Sequence, residues 1–220
     1  MTTRPMHPLG RHLEPNHDPM SLQYPAERAS ALKTVLHQHN GPVLDQGQLG
    51  SCTGNAAAQA LNTDPLMPHG RRLLTEQDAI GIYSWATAHD PYPGQYPPQD
   101  TGSSGLAVAK AAKHLGLITG YAHAFGLAHV LSTLVLRPLI VGTRWHQDMF
   151  TPDPDGTVHP TGAVVGGHEY LLLGLDVAQE FVYALNSWGT NWGVDGMFRI
   201  EWNDLSGLLS DSGDATVLLP

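Results

Sequence analysis

The one cysteine of this 220-residue chain lies in Asp45-Gln46-Gly47-Gln48-Leu49-Gly50-Ser51-Cys52-Thr53-Gly54-Asn55-Ala56-Ala57. Two glycines and a serine lead into it, and an alanine-rich run of high helix propensity follows. A turn that delivers a thiol to the first turn of a helix sets sulfur beside unpaired N–H groups and the positive end of the helix dipole. Both stabilise a thiolate and lower the thiol pKa. Taken alone, Cys52 reads first as a small buried hydrophobe. It becomes a nucleophile only in the company of a base and a group that orients the base.

Both companions are present in the second half of the chain. Gly166-Gly167-His168-Glu169-Tyr170-Leu171 sets a histidine at the start of an apolar strand, after two glycines that admit another backbone. Asn186-Ser187-Trp188-Gly189-Thr190-Asn191-Trp192-Gly193 closes the next apolar strand. A hairpin joining these strands puts His168 and Asn186 side by side. His168 would then take the proton of Cys52, and the Asn186 carbonyl would fix the imidazole tautomer. The resting nucleophile would be a thiolate–imidazolium pair. The Gln46 amide and the Cys52 backbone N–H would donate to a developing oxyanion. His168-Glu169 also begins like a zinc-binding His-Glu-x-x-His helix, but Leu172 stands where the second histidine is required. No metal and no cofactor is implied.

Gln46 with Gly50-Ser51-Cys52, Gly167-His168, and Asn186-Ser187-Trp188-Gly189 followed by Trp192-Gly193 resembles the papain family of cysteine peptidases. The likeness extends over about residues 42 to 202 and implies an α+β, papain-like two-lobe fold. A helical lobe and a β-barrel-like lobe would have the active-site cleft between them. By position, the resemblance implies that Cys52 is the nucleophile, His168 the general acid/base, Asn186 its orienter and Gln46 the oxyanion donor. Trp188 would shield the His168–Asn186 hydrogen bond and shape the leaving-group side. Gly102 and Gly167 would meet substrate backbone.

Glu169 stands where the family has a small residue, bordering the pocket for the second substrate residue before the cut. A carboxylate there favours a basic side chain, unless a local donor or water satisfies it. Thr53 replaces the family's aromatic residue after the cysteine. His168 follows Cys52 by 116 residues and Asn186 follows it by 134, so the loops between motifs are short. The implied activity is peptide-bond hydrolysis through a thioester. Alternatives are a papain-fold amidase acting on cell-wall peptide or isopeptide bonds, and a non-catalytic homologue that acts by binding.

The elements that must position these residues change texture along the chain. Residues 1 to 23 are proline- and histidine-rich without periodicity. They read as an extended or disordered arm, and His7, His12 and His17 match no metal spacing. The whole of residues 1–41 is taken as an N-terminal arm resembling a pro-region, part of it lying near the cleft and reducing activity. Residues 42–126 form the helical lobe and 127–220 the β-rich lobe.

A short helix is expected from Pro25 to His39, and others over Cys52–Leu61 (Ser51 as N-cap), from the opening Thr75-Glu76-Gln77-Asp78 to about Ala88, over Gly105–Leu115 and over Leu127–Leu136. Asp90–Thr101 is a proline-rich loop. Strands are expected at Leu139–Trp145, Tyr170–Leu175, Phe181–Leu185 and Met197–Trp202.

The charged fraction is 14 % and the formal net charge is −9, so no basic surface is offered to nucleic acid or anionic lipid. The expected partner is a peptide or protein substrate, with no nucleic acid and no membrane. One cysteine excludes an internal disulfide, and the first 20 residues hold no apolar run, which together predict a cytoplasmic protein.

Overall fold

The computed structural model describes residues 7–12, 19–67 and 70–220. Part of the N-terminal arm, His17 included, lies outside the described residues. Among the described residues seven strands form one antiparallel sheet: β1 (Val35–Leu36), β2 (Gly120–His123), β3 (Leu139–His146), β4 (Val164–Asp176), β5 (Phe181–Leu185), β6 (Met197–Glu201) and β7 (Asp214–Leu219). Their order is β2-β7-β3-β4-β5-β6, with β1 paired to β4. Helices α1 (Cys52–Leu61), α2 (Glu76–His89) and α3 (Gly105–His114) cover one face. Helices α4 (Gly126–Leu134) and α5 (Trp202–Ser210) cover the other.

The sheet is open, which corrects the barrel-like expectation. β2 and β6 are its two ends and do not pair with each other. Helices α4 and α5 fill the face that a closing strand would otherwise enclose. Pro25–His39 is extended, not helical. Its amides bond to other elements, Ala26 to the His123 carbonyl at 2.8 Å and Ala29 to the Ser132 carbonyl at 3.0 Å, and β1 joins the sheet. Tertiary pairing wins there because a short isolated helix is marginal. Helix α5 and strands β2 and β7 were not expected; β6 ends where Trp202 opens α5.

Alternation along each strand builds two cores. Leu139, Val141, Trp145, Tyr170, Leu172, Ala215 and Val217 face α4 and α5. Ile140, Leu171, Leu173 and Leu218 face α1–α3. The alanines of α1 allow close helix packing, and Gly54 lies where a Cβ would collide with the Ala79 carbonyl of α2. Every residue of α1 is buried. Among the described residues no helix is long and apolar enough to cross a membrane.

Trp145 is fully buried, in ring contact with His168, Tyr170, Trp188, Trp192 and Phe198. Trp145→Ala should lower unfolding stability by about 3–5 kcal/mol. Leu32→Ala, at an exposed position, should change it by less than about 0.5 kcal/mol. Urea unfolding of both variants measures the contrast.

Candidate active site

Cys52 is the first residue of α1 and is fully buried. Ser51 lies beside it but does not cap the helix through its side chain. Its Oγ instead accepts from Asn55 Nδ2 at 3.0 Å. Thr53 is buried and its hydroxyl has no hydrogen-bond partner.

His168 lies in β4, on the face of Tyr170 and Leu172, and Asn186 follows directly on β5. The ring Nε2 of His168 lies 2.7 Å from Asn186 Oδ1. That oxygen also accepts from the Ser187 N–H at 2.8 Å, so it is an acceptor and His168 Nε2 carries the proton. Nδ1 therefore holds the lone pair, and it has no hydrogen-bond partner. Trp188 stacks on His168 with ring centroids 4.6 Å apart and covers this bond. The Gln46 amide is held from one side by Ser187 Oγ, which donates to Gln46 Oε1 at 2.6 Å. Its Nε2 donates to the Leu49 carbonyl at 2.8 Å and to the Pro8 carbonyl at 3.1 Å.

Pro8 belongs to the N-terminal arm, and residues 7–12 of that arm thread the cleft. His7 stacks on Trp188 at 4.5 Å, and His12 stacks on Tyr92. Between them the arm is hydrogen-bonded to both walls. Arg11 N donates to Gly167 O at 3.1 Å, Ser103 N donates to Gly10 O at 2.8 Å, and His12 N donates to Ser103 O at 3.0 Å. Ser103 makes these backbone pairing bonds on the helical side. Gly102 has φ +72° and supplies the turn; a Cβ there would stand 2.6 Å from Gly10 O. A Cβ at Gly167 would stand 2.5 Å from Arg11 O, so the paired glycines admit a backbone, and that backbone is the chain's own. At Gly10 any side chain would strike the Gly50 carbonyl.

Burial under this cover decides the charge state. It pushes the Cys52 thiol up to about 12, the Glu169 carboxylate adding to the effect, against backbone N–H groups of Glu169, Gly10 and Thr53 that favour the thiolate. Burial also pulls His168 down to about 4, against its bond to Asn186. The expected thiolate–imidazolium pair is thus a neutral thiol and a neutral imidazole in this covered state. Low dielectric penalises both charges before helix and hydrogen bonds can favour them.

Glu169 occupies the opposite face of β4 from His168. It is fully buried, neither carboxylate oxygen has a hydrogen bond, and burial beside Asp214 holds its carboxyl well above the usual range. Its neighbour is Arg11, whose Nε lies 3.7 Å from Glu169 Oε2 and whose Nη2 lies 3.4 Å from Asp214 Oδ2. Arg11 Nη2 also donates to the Ser212 carbonyl at 2.8 Å.

A second network ties the two loops flanking Cys52. Asp100 accepts from Gly50 N at 2.8 Å and from the Tyr83 hydroxyl at 2.6 Å. Tyr83 accepts from Gly102 N at 2.8 Å. Asp100, Tyr83, Arg11 and Asp214 were not singled out from sequence. The first two carry no local motif, and the last two meet only through strand register. Among the described residues no group of three metal-ligating side chains gathers.

No family model matches the chain. It is 27 % identical over 160 residues to cathepsin B-like cysteine proteinase 4 of Caenorhabditis elegans, a match covering 69 % of this chain and 45 % of that protein. It is 26 % identical over 183 residues to the gut-specific cysteine proteinase of the same organism, covering 74 % and 54 %. The chain thus matches only about half the length of these relatives.

Among solved structures, xylellain, a cysteine protease from Xylella fastidiosa, superposes with a TM-score of 0.77 at 19 % identity, over 100 % of this chain and 99 % of that one. Digestive procathepsin L 3 of Tenebrio molitor gives 0.67 at 15 % identity, over 97 % and 76 %. The fold is that of the papain-like cysteine peptidases.

Two outcomes follow from the site. A histidine with a depressed pKa contributes stability that is full above its ordinary 6.5 and is lost as pH falls toward about 4. Glu169, with its pKa raised, acts in the opposite sense. The stability difference between wild type and His168→Gln should therefore shrink in favour of the variant between pH 7 and pH 4.5, read by urea unfolding at both values. Asp100→Ala should cost about 2 kcal/mol in the same assay through the lost carboxylate bonds.

Proposed function

We propose that the chain is a cysteine peptidase whose cleft is closed by its own N-terminal arm. The observation that carries the reading is the His168 Nε2–Asn186 Oδ1 bond under Trp188, which leaves Nδ1 as an unpartnered base in the site where Cys52 is the one thiol. With the arm displaced, His168 Nδ1 takes the Sγ proton, and solvation together with the imidazolium stabilises the thiolate. Sulfur attacks the scissile carbonyl carbon. The resulting oxyanion receives the Cys52 N–H and Gln46 Nε2, a donor that the Pro8 carbonyl now occupies. His168 then protonates the leaving amine, and the acyl group remains as a thioester. Water, deprotonated by His168, hydrolyses it and restores the thiol.

The arm is not offered as a substrate. It runs from Trp188, on the leaving-group side, toward Glu169, on the acyl side, so its direction is opposite to that of a cleavable peptide in the papain-like orientation. Over the sulfur it presents the Gly10 N–H. Arg11 anchors it, because removing that guanidinium leaves buried carboxylates uncompensated.

The epoxide inhibitor E-64 tests this reading. Full-length Arg11→Ala should gain an adduct on Cys52, seen by mass spectrometry, faster than wild type, and should cleave fluorogenic peptides. Cys52→Ala in that background should lose at least about 1,000-fold in rate. An Arg11→Ala protein that neither labels nor cleaves would mean a binding homologue. Cleavage of purified peptidoglycan but no linear peptide would mean a cell-wall amidase.

A further inference from the structure

The Gln46 Nε2 amide has two hydrogens, and they point at two carbonyls. One meets Pro8 of the arm at 3.1 Å, where the oxyanion would lie; the other meets Leu49 at 2.8 Å. Because the amide is planar, the Leu49 bond sets the direction of the hydrogen left for the oxyanion. In a trans peptide, C=O and N–H point opposite ways. The Leu49–Gly50 peptide turns its oxygen to Gln46 and its N–H to Asp100, whose Oδ2 accepts at 2.8 Å. That peptide plane is thus held at both ends. A flip of the plane changes the ψ of Leu49 and the φ of Gly50, and glycine tolerates either sign of φ. Asp100 opposes the flip, and so keeps the Leu49 carbonyl aimed at Gln46.

The other oxygen of Asp100 serves the opposite wall. Oδ1 accepts from the Tyr83 hydroxyl at 2.6 Å, and that hydroxyl accepts from Gly102 N at 2.8 Å. Burial, with Asp100 adding to it, pushes the Tyr83 hydroxyl well above its usual range, so it keeps the proton it donates. Tyr83 is fully buried in α2 and supplies a rigid backing. Gly102 precedes Ser103, the residue whose N–H and carbonyl pair with the arm backbone. One carboxylate therefore reaches the donor for the reacting oxygen and, through a phenol, the backbone that an extended peptide would pair with. Asp100 itself is exposed, at the end of the proline-rich loop, so burial in a core does not account for both of its oxygens turning inward. An amide in its place has one accepting oxygen and serves one wall only.

We infer that Asp100 is a positioning residue of the hydrolytic reaction, aiming Gln46 Nε2 through the Leu49–Gly50 peptide and, with Tyr83, setting the Ser103 wall relative to the oxyanion position. The inference rests on the peptidase reading above and adds to it a residue that acts through the oxyanion donor. Asp100 thereby acts on kcat through Gln46 and on KM through Gly102. Tyr83 acts on the second alone.

The experiment places Asp100→Ala, Asp100→Asn and Tyr83→Phe in full-length Arg11→Ala and compares peptide hydrolysis with alkylation of Cys52 by iodoacetamide. Alkylation is displacement of iodide by sulfur. It forms no oxyanion, so it reports the thiol and imidazole without the Gln46 donor. Asp100→Ala should lower kcat for peptides by roughly 100-fold and leave alkylation at the parent's rate. Asp100→Asn, which keeps one acceptor, should recover part of that loss. Tyr83→Phe retains the Asp100–Gly50 bond, so its effect should fall on KM, raised roughly fivefold, and not on kcat. Equal losses in hydrolysis and alkylation would mean a structural role only and would overturn the inference. So would the parent's kcat in Asp100→Ala.

If Arg11→Ala cleaves no peptide, the peptidase reading fails and the positioning is read without turnover. In the isotope-labelled full-length chain, NMR follows the Gln46 side-chain amide directly. Its signals should shift and exchange faster with solvent in Asp100→Asn, and remain as in wild type in Tyr83→Phe. Gln46 signals that are the same in wild type and Asp100→Asn would overturn the positioning role as well.

Discussion

Strand β4 carries a histidine and a glutamate in succession, and the two-residue period of a pleated strand forces them to opposite faces. That constraint organises the cleft. His168 turns toward the aromatic core, where Trp188 stacks on it and Asn186 bonds its Nε2. Glu169 turns toward the helices, where it flanks Gly142 and meets Arg11. A one-residue slip of β4 against β3 would exchange the two and lose both sets of contacts at once. Fixing this register are apolar residues on both faces of the same strand, Tyr170 and Leu172 in one core and Leu171 and Leu173 in the other.

The arm and the two buried carboxylates it meets depend on each other energetically. Glu169 and Asp214 lie on the two strands that flank β3, and burial first, with Asp214 adding to it, holds the Glu169 carboxyl well above the usual range. A buried guanidinium without partners is equally unfavourable. Together they are tolerated, and the interaction that seats Arg11 is strong as a requirement even where its net contribution to stability is small. The backbone bonds to Gly167 and Ser103 add direction to this anchor, and the glycines at 10, 102 and 167 are what let three backbones lie so close. Closure also explains the charge state beneath. The features that favour a thiolate at Cys52, a helix start and backbone donors, are present. Burial outweighs them while the cleft is covered.

Support for this arrangement is layered. The alanine-rich α1 lies against α2 closely enough that Gly54 faces the Ala79 carbonyl, and Gln59 in the same helix bridges to the far loop through Leu44 N and the Asn186 carbonyl. Asp100 and Tyr83 hold the Gly50 and Gly102 backbones to one another. These are hydrogen bonds in a chain with no second cysteine to form a covalent tie.

Much of this was legible in the residues themselves. Cys52 at a helix start, His168 on a strand and Asn186 in its tryptophan motif are local patterns, and each of these elements lies where its periodicity puts it. The α1, α2, α3 and α4 helices carry their own propensity and stop signals. Where sequence pattern and structure differ, the deciding contact is distant. Pro25–His39 has helical spacing, yet its amides find partners on β2 and α4. Strand β7 and helix α5 have short, weak patterns that packing completes. Glu169 was visible as an unusual carboxylate, but sequence left open whether it met a basic group, a local donor or water. Its partners, Asp214 at 45 residues beyond and Arg11 at 158 before, join it only once β7, β3 and β4 are in register and the arm is laid across them. The sequence by itself determined the chemical types and their local frames, because those depend on neighbours a few residues away. Tertiary structure alone decided the meeting of Arg11 with Glu169 and Asp214, the covered thiol and the direction of the arm, because pairing across strands and exclusion of water are properties of residues that the chain brings together from its ends.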